Sequence, residues 1–148
     1  MSIGVIHHLK DPKLALKNLV ESLKSGGKLL IWVYSHEGNG LVVKIINPIR
    51  KLITSKLPVE ITYFLSYFFS TPLYILLKIF RPKNPYLNQL RNFKFWHIHS
   101  IVFDQLIPDI ANYWTKEEVE ELMSGLGLKE FSVSRPPNGQ GWTAIGTK

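Results

Sequence analysis

The spacing of apolar and polar positions divides the chain into three stretches. The first opens on an apolar run, Ile3, Val5 and Ile6, with almost no polar lead-in, and this predicts a buried strand over Ile3 to Ile6. A helix is marked next: Asp11 can accept hydrogen bonds from the amides of a first turn, Pro12 suits the first helical position, and Gly26 or Gly27 supplies the stop. Leu16, Leu19, Val20 and Leu23 share one face of that helix, with Lys13, Lys17, Glu21 and Lys24 elsewhere. After the glycines, "KLLIWVY" stays apolar from Leu29 to Tyr34 without alternation, which predicts a strand buried on both faces. Strand, helix and strand at this spacing predict a right-handed parallel β-α-β unit. The polar loop "SHEGNG" then falls at the carboxyl end of the second strand, where open parallel sheets place their ligand sites.

The middle stretch reads as helical pieces, Leu41 to Thr54 and Ile61 to Phe80, followed by the connector "RPKNPYLN". We read residues 38–100 as a helical lid inserted over the carboxyl edge of a single domain spanning 1–148. Regular patterning returns at Thr115, which forms a capping box with Glu118 ahead of Val119, Leu122, Met123 and Leu126, with Gly125 and Gly127 near the stop. Two short strands, Leu128 to Ser134 and Trp142 to Thr147, flank a Pro-Pro-Asn-Gly turn and predict an antiparallel hairpin. The fold class expected is α/β: parallel strands, an antiparallel carboxyl-terminal hairpin and a helical insertion.

Composition narrows the chemistry. The chain has 148 residues, 45% of them hydrophobic, enough for the core of one domain. The absence of cysteine excludes disulfides, thiolate metal sites and cysteine nucleophiles, and accords with a reducing cytoplasm. Much of the net charge of +7 lies between Leu41 and Phe103, where nine lysines and arginines face one acid, Glu60. Such a segment suits anionic lipid, nucleic acid or a phosphorylated substrate, or is simply a solvated basic surface. Inside it, "ITYFLSYFFSTPLYILL" from Ile61 to Leu77 carries no charge. Three readings stand: a minimal membrane span, an interfacial helix, or a covered helical pair broken at Pro72. No secretory signal is read, so the location expected is cytoplasmic or peripheral to a membrane.

Several side chains invite a chemical role. His7 and His8 end the first predicted strand, where a histidine near neutral pH can act as general base, or where His8 can simply hydrogen-bond locally. Tyr34, Ser35, His36 and Glu37 follow the second strand within reach of a small-molecule acceptor. His97 and His99, on a strand, would point both rings one way, but with Asp104 they lack a third ligand at a reliable spacing. No metal site is therefore expected, and the two histidines read as an acceptor wall. The aromatics Tyr63, Phe64, Tyr67, Phe68, Phe69, Tyr74 and Phe80 beside the basic residues suit a hydrophobic acceptor or an anionic membrane surface, or form a lid packed on its own domain. They disfavour nucleic acid, because they cluster in an apolar run and are not spaced as stacking platforms.

The stretch "SIGVIHHLKDPKLALKNLVESLKSGGKLLIWVYSHEG" resembles the fourth strand, following helix and fifth strand of the class I S-adenosylmethionine-dependent methyltransferases. The capped helix and last hairpin resemble that fold's closing elements, and "HSIVFDQLIPDIANYWTKEEVEEL" is similar to the approach to its last helix. The resemblance implies a partial Rossmann-like methyltransferase fold with S-adenosylmethionine as cofactor. Ser2, Gly4 and Val5 would line the cofactor, His7 and His8 would serve catalysis, and Tyr34, Ser35, His97 and His99 would meet the acceptor. The family's Gly-rich turn and ribose-binding acid belong to its first half and are not found here. The expectation is a truncated enzyme that binds cofactor poorly alone, with the edge of the first strand covered by self-association or a partner chain. Rival expectations are a membrane-peripheral lipid-binding or interaction protein, and one subunit of a split methyltransferase.

Overall fold

The computed structural model describes residues 1–40 and 42–148. Leu41, where the first helical piece of the middle stretch was expected to begin, lies outside the described residues. In chain order the elements are β1 (Ser2–Ile3), α1 (Pro12–Glu21), β2 (Lys28–Tyr34), α2 (Asn47–Leu52), α3 (Val59–Ile79), α4 (Pro85–Leu90), α5 (Phe95–Leu106), α6 (Lys116–Ser124), β3 (Glu130–Ser134) and β4 (Gly141–Thr147). Single-turn 3-10 segments occupy Ile6–His8 and Thr54–Lys56, and a π-helical stretch, Val42–Ile46, leads into α2. The chain divides into two compact units, one made of Met1–Gly40 with Ile110–Lys148 and the other of residues 41–109.

The first unit is α/β, built on one mixed sheet of four strands in the order β1-β2-β4-β3. β1 and β2 are parallel, while β4 runs antiparallel to both β2 and β3. The helix ends follow from local chemistry. The Asp11 carboxylate accepts from the Leu14 amide at 2.9 Å, and Pro12 opens α1. The capping box of α6 is complete: the Glu118 amide donates to Thr115 Oγ1 at 3.3 Å, and the Thr115 amide donates to Glu118 Oε2 at 2.7 Å. The core is Leu29, Ile31 and Val33 of β2 with Trp142 and Ala144 of β4, joined by Ile6, by Leu16 and Val20 of α1 and by Val119 and Met123 of α6.

Two expectations about the strands are corrected. β2 is not buried on both faces: Leu29, Ile31 and Val33 are buried, whereas Leu30, Trp32 and Tyr34 are only half-buried. Its second face opens into a groove of about 420 Å³ lined by Ile3, Leu30, Trp32 and Thr143. The first strand is also shorter than Ile3 to Ile6. Gly4 takes φ +74°, a conformation that glycine reaches without a Cβ penalty, and the chain leaves β1 there for the turn at Ile6–His8. That turn drives Ile6 into the core and leaves Ile3 and Val5 exposed.

The second unit is helical, with α3 packed on α5 and a core of Leu77, Leu90 and Ile98. One of the three readings of the middle segment broke it at Pro72, yet α3 runs unbroken through that residue. Pro72 lies on the exposed side of the helix, where water can donate the hydrogen bond that the ring cannot supply. Arg50 of α2 is fully buried and donates to Asn47 Oδ1 at 2.6 Å and to the Gln105 carbonyl at 3.3 Å. Among the described residues no helix is long and apolar enough to cross a membrane, which removes the reading of Ile61 to Leu77 as a span.

Candidate functional site

The carboxyl ends of β1 and β2 carry a cluster of rings. His7 is buried, its ring centroid 3.8 Å from Tyr34 and 4.2 Å from His8. Tyr34 in turn stacks on Tyr113 at 5.3 Å and meets the edge of Trp32 at 5.5 Å. Alternation along β2 sets Trp32 and Tyr34 on the half-buried face of the sheet, and the turn after Gly4 brings the two histidines to them. The segment before α6 completes the site by crossing the strand ends. The Asn112 amide donates to the His7 carbonyl at 2.9 Å, the Trp114 amide to the Tyr34 carbonyl at 3.1 Å, and the His36 amide to the Trp114 carbonyl at 2.9 Å.

His8 has the geometry of a base. Its Nδ1 lies 2.6 Å from the Ile110 carbonyl. A carbonyl only accepts, so the contact holds a proton on Nδ1 and leaves the lone pair of the neutral ring on Nε2. His8 is half-buried, whereas His7 is fully enclosed and packs as part of the wall. Ser35 is enclosed as well: its hydroxyl donates to the Glu37 carbonyl at 2.7 Å, with the Gly139 carbonyl at 3.1 Å. Asn39, also buried, donates from Nδ2 to the carbonyls of Ser35 and Gln140 at 2.8 and 3.1 Å. Arg135 Nη2 donates to the Glu37 and Gly139 carbonyls at 2.6 and 2.9 Å. The loop after β2 is thus braced against the turn between β3 and β4, and Ser35 acts as part of that brace.

Of the residues singled out from the sequence, the structure brings together His7, His8, Tyr34 and Ser35, with Ser2, Gly4 and Val5 on the adjoining strand end. His97 and His99 belong to the second unit and lie on the helix α5, not on a strand that would point both rings one way. Two residues apart on a helix point to nearly opposite sides, so His97 is exposed and His99 is buried. Trp32, Tyr113, Trp114, Asn39 and Arg135 were missed. The one local signal for two of them was the aromatic pair Tyr113-Trp114 directly ahead of the Thr115 cap. Among the described residues no group of three His, Cys, Asp or Glu side chains could hold a metal ion.

The second unit holds its own polar cluster. His99 Nδ1 lies 3.0 Å from Ser70 Oγ and 3.3 Å from Ser66 Oγ, with Tyr63, Tyr67 and Phe95 around the ring. Burial holds the His99 imidazole below its usual value of 6.5. The unfolded chain therefore binds this proton more readily than the folded one, and stability rises with pH across that interval. Unfolding midpoints of the full chain are expected to fall as pH drops below about 6.5. Asp104 on the same helix, raised by burial, works in the opposite sense from its usual value of 3.8 upward, so a comparison with His99→Gln isolates the histidine. Parallel pH profiles for parent and variant, read by thermal unfolding, would refute the assignment.

No family model matches the chain, and neither does any curated protein.

Proposed function

We propose that the chain is the carboxyl-terminal portion of an S-adenosylmethionine-dependent methyltransferase with a Rossmann-like sheet, acting on a small hydrophobic acceptor. One observation carries most of the weight: the sheet order β1-β2-β4-β3. Two parallel strands joined through a capped helix, followed by a hairpin whose last strand enters antiparallel beside β2, are what the sequence resemblance requires of this half of that fold. The ring cluster at the carboxyl ends of β1 and β2 adds to it, because open parallel sheets bind ligands there.

The residues on the cofactor side fit such a ligand in part. At Gly4 an added Cβ would meet nothing within 4 Å, so the backbone turn stands open to a bound molecule, and Val5 beside it is exposed. Ser2, Gly4 and Val5 carry no charge, so they would hold an apolar or planar part of the cofactor and not its amino-acid end. When bound, S-adenosylmethionine supplies an electrophilic methyl group on a sulfonium. Within this chain His8 Nε2 accepts the proton that the acceptor's hydroxyl or amine releases, while the Ile110 carbonyl keeps the ring oriented. Trp32, Tyr34 and Tyr113 present ring faces that orient a flat or apolar acceptor, and most of the rate would come from that alignment.

Titration of isotope-labelled protein with S-adenosylmethionine, followed by amide and indole nuclear magnetic resonance shifts, tests this reading. Weak binding in the millimolar range is expected, with shifts concentrated at Gly4, Val5, His8 and the Trp32 indole. Saturating cofactor that leaves those signals in place, or moves only residues of 41–109, would sink it.

A further inference from the structure

Besides the side it buries, α3 carries a second apolar side that its own unit leaves uncovered. On its buried side the helix has Leu77 in the core with Leu90 and Ile98, Thr62 donating to the Thr54 carbonyl at 3.2 Å, and Ser66 and Ser70 against His99 of α5. Away from α5 it presents Ile61, Phe64, Phe68, Ile75, Leu76 and Ile79, each roughly half exposed or more, Phe64 at 69% and Phe68 at 77%. Those residues recur at helical spacing along about 27 Å of helix. A stripe of that length and composition marks an interaction surface, since the hydrophobic effect works against leaving it in water.

Charge decides among occupants. Residues 42–103 carry nine lysines and arginines and one acid. Lys51 and Lys56 precede α3 and Arg81 and Lys83 follow it, all exposed. A second copy meeting this face would bring two such basic sets together, which costs association energy. A nucleic acid would satisfy the cations and leave the phenylalanines in water. A bilayer with anionic headgroups matches both halves of the pattern, with an apolar stripe sunk at the acyl boundary and cations at headgroup level. We propose that the outer face of α3 docks on an anionic lipid bilayer, with the helix lying in the plane of the interface. This surface is independent of the methyltransferase reading.

Flotation of the full chain with vesicles of phosphatidylcholine, with and without ~30% phosphatidylserine, tests the proposal, with light scattering on the same samples. Binding is expected to the anionic vesicles, weakened by salt. Trp96, 62% exposed and with its ring 6.4 Å from Tyr67 on α3, should shift its fluorescence to the blue, a signal lost in Trp96→Phe. Phe64→Ser with Phe68→Ser should weaken binding about 100-fold. Both side chains are exposed, so circular dichroism should be unchanged. Arg81→Gln with Lys83→Gln should weaken binding to anionic vesicles only. Failure to float with either composition would overturn the proposal, as would full binding by the double serine variant. A dimer that the serine pair dissolves, without lipid binding, would assign the face to a second copy.

Discussion

Replacing Ile31 with alanine is expected to destabilise the sheet unit by about 3 to 4 kcal/mol, within the range for truncations in a core. Ile31 is wholly buried at the middle of β2, and its neighbours across the sheet are Ser2 on β1 and Ala144 on β4. Both are small, so neither can swing into the space that the lost methylenes leave. Leu16, Val119 and Met123 belong to the same core but are held by their helices, so most of the cavity persists. Leu30→Ala on the half-buried face should cost about 1 kcal/mol, because water already reaches that side. Urea unfolding reads both, with the slope unchanged if the denatured state is unaltered. Equal losses for the two variants would mean that the two faces of β2 do not differ as described.

Gly141→Val is expected to cost a further distinct amount, about 2 to 4 kcal/mol, through overpacking and not through a cavity. A Cβ at Gly141 would stand 2.5 and 2.6 Å from the Trp32 ring and 2.6 Å from the Val33 carbonyl oxygen. The ring could turn away, but the carbonyl belongs to the ladder in which Tyr34 pairs with Gly141, so relief requires the end of the β2-β4 ladder to part. Because Trp32 contacts Tyr34 and His7 edge-on at 5.5 and 6.1 Å, the disturbance reaches the ring cluster. Near-ultraviolet circular dichroism should therefore change in Gly141→Val and stay nearly constant in Ile31→Ala below its unfolding transition. A valine variant as stable as the parent, with its aromatic signal intact, would contradict the close approach of β4 to Trp32.

The parts of the fold that were legible in advance depend on neighbours a few residues away. Asp11 with Pro12 and Thr115 with Glu118 cap their helices from within one turn, and the hairpin of β3 and β4 closes over a short Pro-Pro-Asn-Gly link. Where a short apolar run could serve as strand or helix, local pattern was insufficient. His97 and His99 sit in such a run, where a strand would have aligned both rings, and the structure forms α5 there. Pro72 shows the same limit, since whether a proline breaks a helix depends on whether the lost bond faces water or core.

The site divides in the same manner. That His7, His8 and Tyr34 lie together was readable because the parallel strands of one β-α-β unit end at the same edge of the sheet. Which histidine is available was not readable: the turn after Gly4 encloses His7 and hands His8 to the Ile110 carbonyl, a partner from the far end of the chain. Trp114, Asn39 and Arg135 join for the same reason, through hydrogen bonds between segments distant in sequence, and Tyr113 through its stacking on Tyr34.

The sequence by itself determined the element types at both ends of the chain, the capped helix starts and the concentration of positive charge around an apolar middle segment. Only the tertiary structure decided the single covered face of β2, the burial of His7 and Ser35, and the outward turn of Phe64 and Phe68. The physical reason is one of range. Caps, turns and helical spacing are settled by contacts within a few residues, whereas burial is settled by which surfaces meet, and apolar side chains two faces apart on one helix carry the same letter whether they meet a core or the solvent.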